Sequence, residues 1–433
     1  MPRLRTLPAS FGVLSEREFR LLWTGGTLSA VGDALVPVTT AFATLDIGSA
    51  TDLGLVLATG MGARAIFFMV GGVWADRLPR RLIMIAADGV RAVVQILIAL
   101  AFLTGRIEVW HLVVAAGLFG IAASFFRPAS TGLLPQLVPA MRVQEANALI
   151  GLSHNVTELF GPVLAGVLIA TTGYELIYAI DSATFVASLA CLALMRPLGA
   201  VRARGQSFVA DAREGIREVL ARPWIRVTIT ADLFANFALA PYFILGPLVV
   251  REHLDGAPDW GLMMAASAAG GIAGGALVLR WRPRRPLVPA YVGMLAMPLA
   301  LITLVPPFPL PLLMLGASLL AMSIVVGNTF WSTMEQQHVP EDVLGRVDSV
   351  AWTGSILIAP VAFAVAGPLA DWVGVRETLL CAAAIGVVCN VGALLSRSVR
   401  QLERLEDATA LTPPATSSDP GCEPEPASVS RAP

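Results

Sequence analysis

An all-α membrane protein, with twelve transmembrane helices in two six-helix pseudo-symmetric halves, is the fold class this 433-residue chain predicts. Three observations carry it. The first is composition: 56% of residues are hydrophobic, 14% are charged, and mean hydropathy is +0.72. A soluble domain carries about 25% charged residues, so this chain would leave far too much apolar surface in water. The second is a recurrence of runs nearly free of charge, among them 93–103, 159–171, 183–195 and 377–395. One bilayer crossing takes roughly 20 mostly apolar residues, and the chain supplies such segments repeatedly. The third is an internal repeat.

Apolar runs between polar or Gly/Pro breaks place the spans near 19–44, 53–75, 82–103, 111–134, 146–171, 175–195, 224–250, 259–280, 287–305, 310–333, 345–371 and 376–396. An even number puts both termini on one side. Loop arginines choose the side. Most lie in the N-terminal segment and after spans 2, 4, 6, 8 and 10, whereas the other face holds Arg106, Arg251 and Arg376. Positive loops stay cytoplasmic, so both termini are expected inside a multi-pass protein of the cytoplasmic membrane. Tryptophans such as Trp74, Trp110, Trp224, Trp260 and Trp372 fall near span ends, where indole rings favour the interface.

The divisions that follow are a cytoplasmic N-terminal segment (1–18), a six-helix half (19–195), a cytoplasmic linker (196–223), a second six-helix half (224–396) and a disordered tail (397–433). Acids precede the first apolar run, so the N-terminus does not read as a cleavable signal. The linker contains FVADAREGIREVL, whose helical periodicity suits a helix lying on the membrane surface. The tail is rich in Ala, Pro, Ser, Thr and Glu.

The repeat supports the division. LLPQLVPAMRVQEANAL from Leu133 aligns with MEQQHVPEDVLGRVDSV from Met334 at an offset of 201. Gln136, Val138 and Pro139 meet Gln337, Val339 and Pro340. AGVLIATTG (Ala165–Gly173) meets AGPLADWVG (Ala366–Gly374) at the same offset. A looser pair joins GGVWADRLPRR, from Gly71, to GGALVLRWRPRR, from Gly274; the second keeps the arginines but has Leu279 where the first has Asp76. Substrate sites of repeat-built transporters lie between the halves near the midplane.

Twelve spans in two halves, with G-x-x-x-D-R-x-x-R-R between spans 2 and 3, resemble the major facilitator superfamily. Gly72, Asp76, Arg77, Arg80 and Arg81 match its loop signature, with Pro79 in place of the usual glycine. Within the superfamily the chain is most similar to bacterial exporters of the macrolide-efflux and enterobactin-exporter kind. The fragments that carry this are REFRLLWTGGTLSAVGDAL, RPASTGLLPQLVP, EANAL, FGPVLAGVLI, AIDSATFVASL and LGRVDSV. Gly161, Pro162 and Gly166 match part of the family's helix-kink motif in span 5, while Ala165 and Thr157 depart from it. The resemblance implies export of amphiphilic small molecules, with proton antiport as the family's driving reaction. It also places Asp76 at an inner gate, against the start of span 11 near Gly345.

Charge inside the bilayer costs roughly 2.5–3.5 kcal/mol per group even on insertion scales, so such groups face the bundle interior, paired or functional. Asp33 and Arg64 lie at similar mid-span depth and are expected to pair. Either the pair is static, or proton transfer to Asp33 breaks it and biases two access states. His154 and Glu158 share a face of span 5 at i,i+4, and they form either an internal hydrogen bond or a proton-holding pair. Pro162 is expected to kink that helix. Asp181 and Asp232 are shallower, and either is a candidate for solvation at a vestibule; Arg127 either pairs with Asp88 or a cytoplasmic carboxylate or, ranked second, binds substrate.

The same residues exclude other classes. There is no phosphate loop, no metal-ligand cluster and no nucleophile array, so the chain is not expected to be an enzyme, to hold a cofactor or metal, or to drive transport by nucleotide hydrolysis. Nothing points to nucleic acid. Cys191, Cys381, Cys389 and Cys422 have no CxxC spacing. The expected partners are a small-molecule substrate, protons and the lipid bilayer, for a monomer. Export of a dedicated natural product or siderophore is the alternative, and a nutrient importer ranks below both.

Overall fold

The structure is a computed structural model that describes residues 9–196, 208–305 and 308–405; for 9–11, 68–77, 208–212, 341–342 and 356 it describes backbone alone. Six helices form the N-terminal half: α1 (Arg17–Ile47), α2 (Ala50–Arg77), α3 (Arg80–Leu103), α4 (Val109–Leu133), α5 (Val143–Thr172) and α6 (Tyr174–Leu194). A surface helix, α7 (Phe208–Ala221), leads to the second half: α8 (Pro223–His253), α9 (Ala257–Arg280), α10 (Leu287–Gly293), α11 (Ala296–Thr303), α12 (Leu310–His338), α13 (Glu341–Ile356), α14 (Ala359–Val373) and α15 (Val375–Leu395). Among the described residues, ten segments are long and apolar enough to cross a membrane. The 28-residue α2 and the α10–α11 pair bring the crossings to twelve.

Two crossings are interrupted, which the sequence reading did not anticipate. The ninth breaks between α10 and α11 at Met294 and Leu295, just before Pro298. The eleventh breaks at Leu357 and Ile358, just before Pro360. Proline lacks the N–H that would bond four residues back and crowds that carbonyl, so each helix stops and restarts. Pro162 behaves differently, since α5 runs through it from Val143 to Thr172.

Within each half the packing places the core. In the N-terminal half α1, α3 and α4 pack on α6, α5, α2 and one another; in the C-terminal half α9 pairs with α12 and α8 with α14 and α15. The face where α1 begins and α15 ends is called the near face here, and the other the far face. One buried cluster at the far face draws on both halves, from Leu35, Phe42 and Leu53 to Tyr242, Trp260 and Leu379. Toward the near face the clusters are separate among the described residues: Phe19, Met84 and Leu133 belong to one half, Ile225, Met334 and Val347 to the other. The halves are therefore sealed at the far face and have individual cores at the near face.

Candidate functional site

The far-face seal is built by four glycines. In an α-helix a glycine lets a neighbouring backbone approach where a side chain would stand. A β-carbon added at Gly54 of α2 would lie 2.5 Å from the Phe363 carbonyl oxygen of α14. One at Gly367 of α14 would lie 2.6 Å from the Thr51 nitrogen and 2.7 Å from the Ala50 carbonyl oxygen of α2. The same contact recurs between α5 and α9. Gly261 would meet the Pro162 carbonyl oxygen at 2.5 Å, and Gly166 the Ala257 carbonyl oxygen at 2.6 Å. Gly166 and Pro162 stand 201 positions before Gly367 and Phe363, and Gly54 and Ala50 stand 207 before Gly261 and Ala257. The seams are two copies of one contact, related by the sequence repeat.

Polar contacts reinforce the seal. Arg251 of α8 lies 3.3 Å from the Asp46 carboxylate of α1 and donates to the Leu45 carbonyl. Tyr174 donates to the same Asp46. The Thr51 hydroxyl donates to Asp371 of α14 at 2.6 Å. Both bridges join opposite halves.

Below the seal, the N-terminal half holds a group of charges at mid-depth. Asp33 sits about 24 Å along α1, Arg64 about 21 Å along α2 and Arg91 about 16 Å along α3. Sequence reasoning placed Asp33 opposite Arg64, but the two form no ion pair. The basic groups that act on Asp33 are Arg91, Arg64 and His154. One Asp33 carboxylate oxygen, Oδ1, is buried with no hydrogen-bond partner. Arg91 is itself buried, 3.7 Å from Asp88, and its guanidinium lies over three rings, Phe119 and Phe126 at 5.0 Å and Phe185 at 5.4 Å. Such cation–π contacts strengthen where water is excluded.

The partners of the other acids follow. Ser188 donates to Asp88 at 2.7 Å, and Arg127, a candidate partner there, makes no ion pair among the described residues and is exposed. Asp181 is fully buried instead of solvated, and Gln95 donates to it at 2.5 Å. Asp88, Arg91 and Gln95 occupy one face of α3, at i, i+3 and i+7. That spacing was visible in the sequence, where Asp88 and Arg91 sit in an otherwise apolar run.

His154 and Glu158 are both exposed on α5 and make no hydrogen bond to each other. One and two turns on, Gly161 abuts Ala34 of α1 and Gly166 abuts α9. The residues that carry His154 and Glu158 thus precede the close contacts of α5 with α1 and α9.

The C-terminal half contains a cavity of about 350 Å³. Asp232 lines it with Tyr291, Trp331 and Trp352. Asp232, a candidate for solvation at a vestibule, is half-buried, and the Tyr291 hydroxyl lies 3.4 Å from it.

A sequence model of the Major Facilitator Superfamily matches residues 22–355, which take in the first half, the linker and the second half up to the break in its eleventh crossing. The chain belongs to the Major Facilitator Superfamily. It is therefore a multi-pass membrane transporter and not an enzyme. Macrolide efflux protein A of Streptococcus pyogenes is 23% identical over 396 residues, 89% of this chain and 97% of that one. Multidrug efflux pump Tap of Mycolicibacterium fortuitum is 25% identical over 376 residues, covering 82% and 90%. Among solved structures, a bacterial homolog of the human lysosomal transporter Spinster, inward-facing and unoccupied, superposes with TM-score 0.68 at 15% identity, covering 90% of this chain and 97% of that one. A bacterial homologue of the iron transporter ferroportin, in its inward-facing state, gives 0.67 at 18% identity, covering 87% and 98%.

In this superfamily member the loop signature after α2 is only partly described. Gly72, Asp76 and Arg77 end α2, and their side chains lie outside the described residues, as does any contact from Asp76 to the start of α13. Arg80 and Arg81 are described. Arg80 donates to the Gly132 carbonyl at the end of α4, and Arg81 donates to Leu192 and Ala193 at the end of α6, at 2.6 and 2.7 Å. The last carbonyls of a helix lack partners and carry partial negative charge. The two arginines thus tie the near-face ends of three helices together. In the second copy Arg285 instead pairs with Glu403 at 2.8 Å.

Proposed function

We propose that this transporter exports amphiphilic small molecules from the cytoplasm by alternating access, in exchange for protons. The observation that carries the reading is the duplicated glycine seam. A seal made of two equivalent contacts at one face, over separate cores at the other, is half of an alternating-access cycle. With the arginine-rich termini face in the cytoplasm, the sealed face is the outer one and this state opens inward. The efflux names of the relatives support the direction.

Asp33 is the proton carrier in this reading. An unpartnered carboxylate oxygen at mid-depth, beside Arg91 and Arg64, changes the balance of a charge cluster when it gains a proton. His154 and Glu158 of α5 relay protons to it. Asp76, Arg77 and their glycine Gly72 form the inner latch that closes when the outer seam opens, and Gly161, Pro162 and Gly166 give α5 its close approach to both halves. The protein acts as a monomer in the cytoplasmic membrane, its domains bounded as 1–18, 19–195, 196–223, 224–396 and 397–433. A second reading, export of an anionic natural product or siderophore, is favoured by Arg64 and Arg127, both exposed in the N-terminal half.

The test is efflux of a compound panel from proteoliposomes with an imposed pH gradient and after its collapse. Export should stop on collapse, and Asp33→Asn should abolish gradient-driven export while leaving downhill exchange. Export that ignores the gradient would remove the antiport mechanism.

A further inference from the structure

The cavity in the C-terminal half differs from the charge cluster in the N-terminal half in one respect that matters for cargo. Every described residue lining it comes from the C-terminal half, and Asp232 is the one charged group among the described lining residues. Among the described residues its carboxylate accepts one long hydrogen bond, 3.4 Å from the Tyr291 hydroxyl, and forms no ion pair. By contrast, Arg91 acts on each of Asp33, Asp88 and Asp181. A carboxylate about 14 Å along α8 without a resident counter-ion is costly, and the fold keeps a space beside it.

The walls of that space suit a cation. Met294, at the break between α10 and α11, and Ser355, near the break between α13 and α14, both border it. Irregular backbone at membrane depth is tolerated where it lines a cavity. Asn236 spends its amide N–H groups on the Asp232 and Ser355 carbonyls, and Asn390 on that of Gly386. Their amide oxygens remain as acceptors for an N–H donor. Trp352 is 52% exposed and lines the same space, offering an indole face to a cation.

We propose that this cavity binds the ammonium group of an amphiphilic amine, with Asp232 as its counter-ion and Trp352 as its aromatic wall. The inference names the cargo class of the exporter reading and rests on that reading for the cargo's direction of movement, but not for binding. A volume of about 350 Å³ lies at the lower end of small-molecule sites, so the amine-bearing part of a larger molecule enters while the rest extends toward the space between the halves.

The test is equilibrium binding to purified protein in nanodiscs, without any gradient, of dansylcadaverine and its N-acetyl derivative, which differ by the charge. The wild type should bind the amine roughly thirtyfold or more tightly than the neutral probe. Asp232→Asn should reduce that preference below about threefold while the neutral probe still binds, and Asp232→Glu should retain it. Should Asp232→Asn fail to fold, the wild type still decides the matter. Apolar carbodiimide labelling of Asp232, read by mass spectrometry, should be blocked by the amine and not by the neutral probe. An amine preference that survives in Asp232→Asn, or labelling that both probes leave untouched, would overturn the proposal. Intact amine preference without gradient-driven efflux would remove the exporter reading and leave this site standing.

Discussion

Gly367→Val is the sharpest perturbation of the far-face seal. The added β-carbon would stand 2.6 Å from the Thr51 nitrogen and 2.7 Å from the Ala50 carbonyl oxygen. Both are backbone atoms at the start of α2, so no side chain can swing aside, and α14 must retreat. Forcing an extra group into a packed interface costs about 1–3 kcal/mol. The near-face cores do not use this contact, so the cost falls on the far-face-closed state alone. The ratio of far-face-open to far-face-closed molecules should rise about 5–150-fold.

Pulsed electron resonance between spin labels at Arg106, in the far-face loop after α3, and Arg376, in the first turn of α15 at the far face of the other half, reads that ratio directly. The background needs Cys191, Cys381, Cys389 and Cys422 replaced. Gly166→Val, at the equivalent seam, should give a similar shift, and the double variant should add the two because the seams share no contact. Gly151→Ala is the control, since a β-carbon there meets nothing within 4 Å on the same α5. An unchanged distance distribution in folded Gly367→Val would refute the claim that glycine contacts hold this state closed.

Three smaller effects follow from the same geometry. Arg251→Ala removes the bridge to Asp46, whose groups are 39% and 47% exposed. A pair that open to solvent contributes about 0–1 kcal/mol, so the far-face-open fraction should rise less than about fivefold, and the effect should fade in high salt. Arg91→Leu leaves Asp88 uncompensated at 0% exposure and should lower stability in detergent by about 3–5 kcal/mol; Asp88→Asn in the same chain should restore part of it, as thermal unfolding would report. Asp76→Asn should lower transport and raise the far-face-closed population by weakening the opposing latch; unchanged values for both would remove the latch.

How much of this was legible beforehand depends on the kind of contact. Helix positions followed from apolar runs because lipid demands them; the breaks in the ninth and eleventh crossings were missed, as was the short helix Arg397–Arg400 in the segment read as a disordered tail. Pro298 and Pro360 were in plain sight, but proline interrupts a helix in one context and not in another: α5 runs through Pro162. The charges were found as residues and misassigned as partners. Depth along each span put Asp33 and Arg64 at one level, but which helix faces which is a tertiary fact: the two form no ion pair, and Arg91 of α3 belongs to the same cluster. Asp232 looked like any shallow acid. What distinguishes it is the missing counter-ion, and an absence has no sequence signal.

The repeat changes meaning once the seams are known. AGVLIATTG and AGPLADWVG align because Gly166 and Gly367 occupy the same place in two copies of one contact. The partner glycines, Gly54 and Gly261, lie in a second alignment of the same kind, at an offset of 207: ATDLGLVLA (Ala50–Ala58) meets APDWGLMMA (Ala257–Ala265), with Ala50, Asp52, Gly54, Leu55 and Ala58 matched by identical residues. Symmetry is thus kept where the two halves must part and meet together. It is given up where they do different chemistry: α3 carries Asp88, Arg91 and Gln95 in the first half, whereas the cavity of the second half is lined by a single charge. A transporter whose seal is symmetric and whose charges are not can move both halves as equals while assigning proton exchange to one and cargo recognition to the other.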